Sequence, residues 1–155
     1  MRVLLQRVQK AKVEVDGKAI ASIERGYLLL VGFCEGDDAE IASKMAEKIL
    51  KLRVFEDENG KTNLSLSQVG GNILSVSQFT LYASIKEGNR PSFVDALRPG
   101  RAKPLFAFFN SKLAETLPSL QTGEFGADMK VSLLNDGPFT LMLDSHELFK
   151  EKIHG

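Results

Sequence analysis

Gly26-Tyr27-Leu28-Leu29-Leu30-Val31-Gly32-Phe33 is an unbroken apolar run bounded by glycines. It is too short for a core helix and shows no polar alternation, which predicts a strand buried on both faces at the centre of a sheet. Upstream, residues 3–8 and 12–15 read as strands, and Asp16-Gly17 supplies the positive φ of a tight hairpin, so the chain opens antiparallel. Downstream the period changes. Ile41, Met45 and Ile49 recur every four residues, Ala42, Ala46 and Leu50 widen the stripe, and Asp37 or Asp38 can cap the first N–H groups of a helix. Residues 53–56 predict a short strand before the Asn59-Gly60 turn, and Gly70-Gly71 leads into a strand over 73–81. A second helix is expected to start near Pro104, to carry Leu105, Phe108, Phe109, Leu113 and Leu117 inward, and to stop at Pro118. Residues 131–135 and 139–143 predict strands on either side of Gly137-Pro138, with a short terminal helix over 145–153. The expected class is α/β: one layered domain over 1–155, with a mixed, largely antiparallel, barrel-like sheet and two to three helices.

Composition narrows the function classes. A chain of 155 residues, 43% apolar and 26% charged, is that of an ordinary soluble globular domain, and no run of eighteen apolar residues is present to span a bilayer. Arg2 and Arg7 interrupt any signal-peptide core, and Cys34 is the lone cysteine, so the expected compartment is the reducing cytoplasm. Twenty basic residues balance twenty acidic ones, which argues against extensive wrapping by nucleic acid. The balance is uneven: Lys86, Arg90, Arg98, Arg101 and Lys103 stand against only Glu87 and Asp95 between 86 and 103, enough to hold a few phosphates or simply to solvate a loop.

The usual chemistry is missing. His146 and His154 lie in the last ten residues, a poor metal pair and a poor triad, and Cys34 follows an apolar run with no nearby cation to lower its thiol pKa. No HExxH, CxxC, GxxxxGK[ST] or GxGxxG pattern occurs, so no metal or cofactor is expected. What remains is Ser75-Val76-Ser77-Gln78-Phe79-Thr80-Leu81-Tyr82, which as a strand places Ser75, Ser77, Phe79 and Leu81 on one face and Val76, Gln78, Thr80 and Tyr82 on the other. Such a stretch is either a half-exposed strand or a strand end lining a pocket, whose free N–H groups can stabilise an oxyanion. Asn135-Asp136-Gly137-Pro138 is either a plain turn or a cis Gly-Pro unit presenting rigid carbonyls that exclude a substituent.

Taken together these segments resemble D-aminoacyl-tRNA deacylase. Ser77-Gln78-Phe79-Thr80-Leu81 and Asn135-Asp136-Gly137-Pro138-Phe139-Thr140 occur in the order and separation of that family, with Gln6-Arg7-Val8, Arg90-Pro91-Ser92-Phe93 and residues 122–129 also in register. The resemblance implies a homodimer, with active sites at the subunit interface, that hydrolyses the ester joining a D-amino acid or glycine to the 3′-terminal adenosine of tRNA. It implies that Ser77, Gln78, Phe79 and Thr80 form the catalytic pocket and that Gly137-Pro138 is a cis dipeptide entering the partner's site to reject L-amino acids. Arg7 matches the arginine that orients this dipeptide, and Met129 a methionine near the site. Two departures stand out: residues 145–155 extend beyond shorter members, and Phe139 stands where valine is common.

An aminoacyl ester is already activated, so positioning and oxyanion stabilisation suffice without a histidine base. The resemblance implies that the ribose 2′-hydroxyl assists water and that Thr80 orients; the rival has Thr80 Oγ attack, with no evident base beside it. Two other classes fit less of the sequence: a non-catalytic RNA-end binder using Phe79, Tyr82 and Phe93 as stacking surfaces, and a purely structural homodimer.

Overall fold

The computed structural model describes residues 1–149. Its centre is the apolar run. Strand β3 (Gly26–Gly32) lies between β1 (Arg2–Val15) and β6 (Asn72–Ser77) in a sheet ordered β2-β1-β3-β6-β7, where β2 is Lys18–Ile23 and β7 is Gln121–Thr122. Tyr27, Leu29 and Val31 enter one core and Leu28 the other, so the missing polar alternation reflects burial on both faces. The first core also takes helix α1 (Ala39–Lys51), through Ala42, Met45, Ala46 and Ile49, and helix α2 (Pro99–Thr116). Burying each large aliphatic side chain there contributes about 1.5–3 kcal/mol.

β1 is a single strand of 14 residues, where two were expected. On one side it pairs antiparallel with β3 over residues 2–8 and with β2 over 11–15; on the other it pairs with β8 (Lys130–Asp144) over nearly its whole length. Register shifts between Gln6 and Val8 and between Val8 and Lys10 bend it, so that Val3 and Leu5 face the helices while Val8, Ala11 and Val13 face the second core. The bend curls the sheet into a nearly closed, barrel-like form. β3–β6 and β6–β7 are parallel, with α1, the hairpin of β4 (Arg53–Glu56) and β5 (Thr62–Ser65), and α2 in the connections.

Of the remaining boundaries, the start of α1 is as expected, while α2 and β8 differ. Asp38 caps α1, its carboxylate accepting from the Ile41 N–H at 2.9 Å, while the buried Asp37 pairs with the Met1 ammonium at 2.8 Å and accepts from the Cys34 N–H at 2.8 Å. α2 starts at Pro99, which suits a first turn as well as Pro104 does; Pro104 then lies inside the helix, and Ala102 and Phe106 join Phe109 and Leu113 in the core. Leu105, Phe108 and Leu117 are only half-buried. β8 runs through the Gly137-Pro138 break as one strand, and of the expected terminal helix, α3 covers Ser145–Leu148 while residues 150–153 and His154 lie outside the described residues.

Candidate active site

β6 ends at Ser77, and the strand expected to reach 81 instead breaks into a 3-10 turn, Phe79–Tyr82. The cause is local. The Gln78 N–H donates to the Val31 carbonyl at 2.7 Å and Gln78 takes φ −148°, ψ 83°, which turns the chain across the end of β3. Gly32 permits this crossing: a Cβ there would lie 2.8 Å from the Gln78 carbonyl oxygen and 3.1 Å from Leu81 Cβ. Beyond Ser77 the expected alternation of faces is therefore lost. The N–H groups of Phe79 and Thr80, at the start of the turn, have no hydrogen-bond partner among the described residues, whereas those of Leu81 and Ala83 donate to Gln78 and Thr80.

The turn borders a largely apolar cavity of about 650 Å³. Ser77, Gln78 and Phe79 line it, with Gly32 and Phe33 from the end of β3, Ala96 to Pro99 and Ala102 from the entry to α2, and Phe125 to Met129 from the loop before β8. Phe79 and Phe93 meet edge to face on its rim, centroids 5.2 Å apart, and remain 55% and 45% exposed, surface that a planar ring can cover. Thr80 stands beside the cavity, exposed, its Oγ1 hydrogen-bonded to Gln78 Nε2. Among the described residues no histidine lines the cavity. Neither tyrosine lines it, and both phenols are held protonated: burial pushes the Tyr82 hydroxyl far above its ordinary value, with Cys34 adding to the effect, and burial does the same to Tyr27 against the opposing charge of Arg7.

Arg7, Gly137 and Pro138 do not line this cavity. They form a second cluster, Gly137 and Pro138 on β8 and Arg7 on the neighbouring β1. The Gly137-Pro138 peptide is cis, both residues are exposed, and Gly137 has φ 143°. Buried Arg7 braces the loop: Nε donates to the Asp136 carbonyl at 2.9 Å, Nη1 to the Val54 carbonyl at 2.6 Å, and the guanidinium stacks on Phe139, 4.7 Å from the ring centroid. Asn135 closes the loop from the other side, its Oδ1 accepting from the Phe139 N–H at 2.7 Å and its Nδ2 donating to Thr140 Oγ1 at 3.0 Å. A Cβ on Gly137 would lie 2.9 Å from the Phe139 nitrogen and 3.1 Å from Arg7 Nη2.

Of the expected site residues, then, Ser77, Gln78, Phe79 and Met129 meet at one cavity with Thr80 adjacent, while Arg7, Gly137 and Pro138 meet elsewhere. Sequence reasoning passed over Gly32, the place of Arg98 in the cavity wall and the bracing role of Asn135. The glycine inside an otherwise apolar strand was the available signal for the first, since such a glycine marks close backbone approach; the side-chain amide before Asp136-Gly137 was the signal for the third.

Comparison with known proteins shows the family. A family model described as D-Tyr-tRNA(Tyr) deacylase matches residues 4–144. The D-aminoacyl-tRNA deacylase of Lactobacillus acidophilus is 60% identical over 144 residues, covering 93% of this chain and 99% of its own, and that of Clostridium tetani is 53% identical over 149 residues, covering 96% and 100%. Among solved structures, the c-Myc DNA unwinding element binding protein superposes with a TM-score of 0.88 at 39% identity, covering 93% of this chain and 98% of its own. A probable eukaryotic D-amino acid tRNA deacylase superposes at 0.81 over 92% and 97%, and at 18% identity shares the fold.

Proposed function

This chain belongs to the D-Tyr-tRNA(Tyr) deacylase family and is a D-aminoacyl-tRNA hydrolase, and from that premise we propose how its two clusters divide the work. The cavity takes the 3′-terminal adenosine with its ester, Ser77, Gln78, Phe79 and Thr80 hold the reacting group, and Gly137-Pro138 of a second copy in a homodimer closes over it. The observation that carries this reading is a cavity ending on two unpartnered backbone N–H groups, with the braced Gly137-Pro138 loop outside its own chain's cavity.

As water attacks the ester carbonyl, charge grows on its oxygen, and the fixed N–H groups of Phe79 and Thr80 stabilise that oxyanion; one such donor contributes about 10²- to 10³-fold in rate. The ribose 2′-hydroxyl assists the water, the bond between the carbonyl carbon and the 3′-oxygen breaks, and the departing 3′-oxygen takes the proton that the attacking water gives up. Thr80 orients rather than attacks, since its Oγ1 is engaged by the Gln78 amide and has no base beside it. Met129 in the cavity wall shapes the side-chain end. Handedness is judged by exclusion: an L side chain meets the Gly137-Pro138 main chain, whereas a D side chain or the hydrogen of glycine does not. Arg7 holds that main chain in place. A tRNA substrate supports the cytoplasm as the site of the reaction.

The test compares D- and L-aminoacyl-tRNA bearing the same amino acid, with and without the terminal 2′-hydroxyl. The expected result is rapid loss of the D form alone, slowed strongly when the hydroxyl is absent. Rapid loss of the L form sinks the chiral assignment, and an acyl-enzyme trapped on Thr80 sinks the water mechanism.

A further inference from the structure

Four cations near the cavity are not used by the fold. Between residues 86 and 103 five basic residues face two acidic ones, while the remaining positions carry fifteen basic and eighteen acidic. Arg101 is engaged by Glu35 at 3.1 Å. Among the described residues, Lys86, Arg90, Arg98 and Lys103 have no carboxylate within 4.0 Å, and all four are exposed.

Their placement follows from the chain path. Ser84 and Ser92 exchange two backbone hydrogen bonds of 2.8 Å, closing a loop that carries Lys86 and Arg90 and returns to Phe93 on the cavity rim. Ala96 then pairs with Cys34, and the chain reaches Arg98 and Pro99, again in the cavity wall. Lys103 follows Pro99 by four residues and shares its side of α2. Both cation-bearing segments thus run directly into the wall. Folding alone would choose otherwise: α2 has no acidic residue in its first turn and no side-chain cap, and basic residues there oppose the helix dipole.

We propose that Lys86, Arg90, Arg98 and Lys103 hold the phosphates of the tRNA acceptor strand where it leaves the cavity, a deepening that rests on the reading of the cavity as the aminoacyl site. The excess of acidic residues over the rest of the chain disfavours other approaches of a polyanion. Contacts of this kind neutralise backbone and read no bases, so the surface accepts tRNAs of any identity.

The experiment compares wild type with the triple variant K86Q/R90Q/K103Q, which leaves the cavity wall untouched, on D-aminoacyl-tRNA and on the matching 3′-D-aminoacyl-adenosine. For tRNA, kcat/KM is expected to fall about ten-fold or more and its log–log salt dependence to flatten by about two to three; the adenosine ester is expected to react unchanged. Equal tRNA rates and salt slopes in both proteins overturn the proposal. So does an equal loss on both substrates, or an altered assembly state in sedimentation. Anisotropy with deacylated tRNA reads the same surface without hydrolysis: equal affinity in the two proteins overturns the surface even where the cavity reading stands, and a wild type that binds tRNA but hydrolyses neither ester overturns the cavity reading alone.

Discussion

Gly32 and Gly137 carry no side chain for different reasons, and each gives its own experiment. At Gly32 a methyl group would collide with the Gln78 carbonyl, so Gly32→Ala displaces the turn that offers the two free N–H groups. A misplacement of about 1 Å costs on the order of 100-fold in rate, against a stability loss of about 1–3 kcal/mol from overpacking; kcat/KM and the denaturation midpoint, measured on one preparation, separate the two. Gly137→Ala combines positive φ with contact on Phe139 and Arg7, and is expected to raise L-aminoacyl-tRNA hydrolysis relative to D. An unchanged preference in a folded variant removes the loop from the selection step. Phe139 belongs to the same group. Its ring stacks under Arg7, so Phe139→Val is expected to cost about 1 kcal/mol and to loosen selection less than Gly137→Ala does. These contacts were partly readable in the residues: Arg7 and Gly137-Pro138 were singled out, yet that Arg7 reaches the Val54 carbonyl depends on a strand pairing that no local pattern encodes.

Elements were readable where one physical cause dominated. α1 matched its stripe because amphipathic burial and an aspartate cap agree, and β3 because an apolar run admits few alternatives. β6 was overextended because the residues after Ser77 keep strand-like composition, while the Gln78 N–H makes the last bond to β3, at the Val31 carbonyl, and the Gln78 backbone then turns the chain away. Two prolines compete for the first turn of α2, and tertiary contact decided for Pro99. The short α3 gives a pH experiment. Burial raises the Asp144 carboxyl, but the His146 N–H, the Arg2 guanidinium and the N-terminal ammonium outweigh that and hold it below the ordinary aspartate value. A lowered folded-state pKa means that Asp144 stabilises the fold above its unfolded value, and that this stabilisation is lost as pH falls through the lower one. Asp144→Asn is therefore expected to lower the melting temperature at pH 7 and to flatten its acid decline below about pH 4; melting curves across that range decide it.

At the scale of the molecule, one long strand edge is unpaired among the described residues. There β8 pairs with β1 alone, and along it Leu134 and Met142 are 47% and 51% exposed, beside the Gly137-Pro138 loop. An apolar strand edge of this length favours association, which fits the proposed homodimer. Leu134→Lys with Met142→Lys is expected to yield a monomer by analytical ultracentrifugation, with D-aminoacyl-tRNA hydrolysis reduced at least ten-fold; a dimer that survives the change moves the interface off this edge. The α/β class and sheet composition could be read from strand and helix spacing, but the double pairing of β1 and the curl it imposes could not, because they arise from two register shifts. The position of the Gly137-Pro138 loop outside its own cavity has a consequence for mixtures. Under the proposed dimer, in a population of exchanging protomers, a chain with a ruined cavity and a sound loop is expected to restore selectivity to a chain with a sound cavity and a faulty loop, so that adding an inert protein to an indiscriminate one lowers its rate of error.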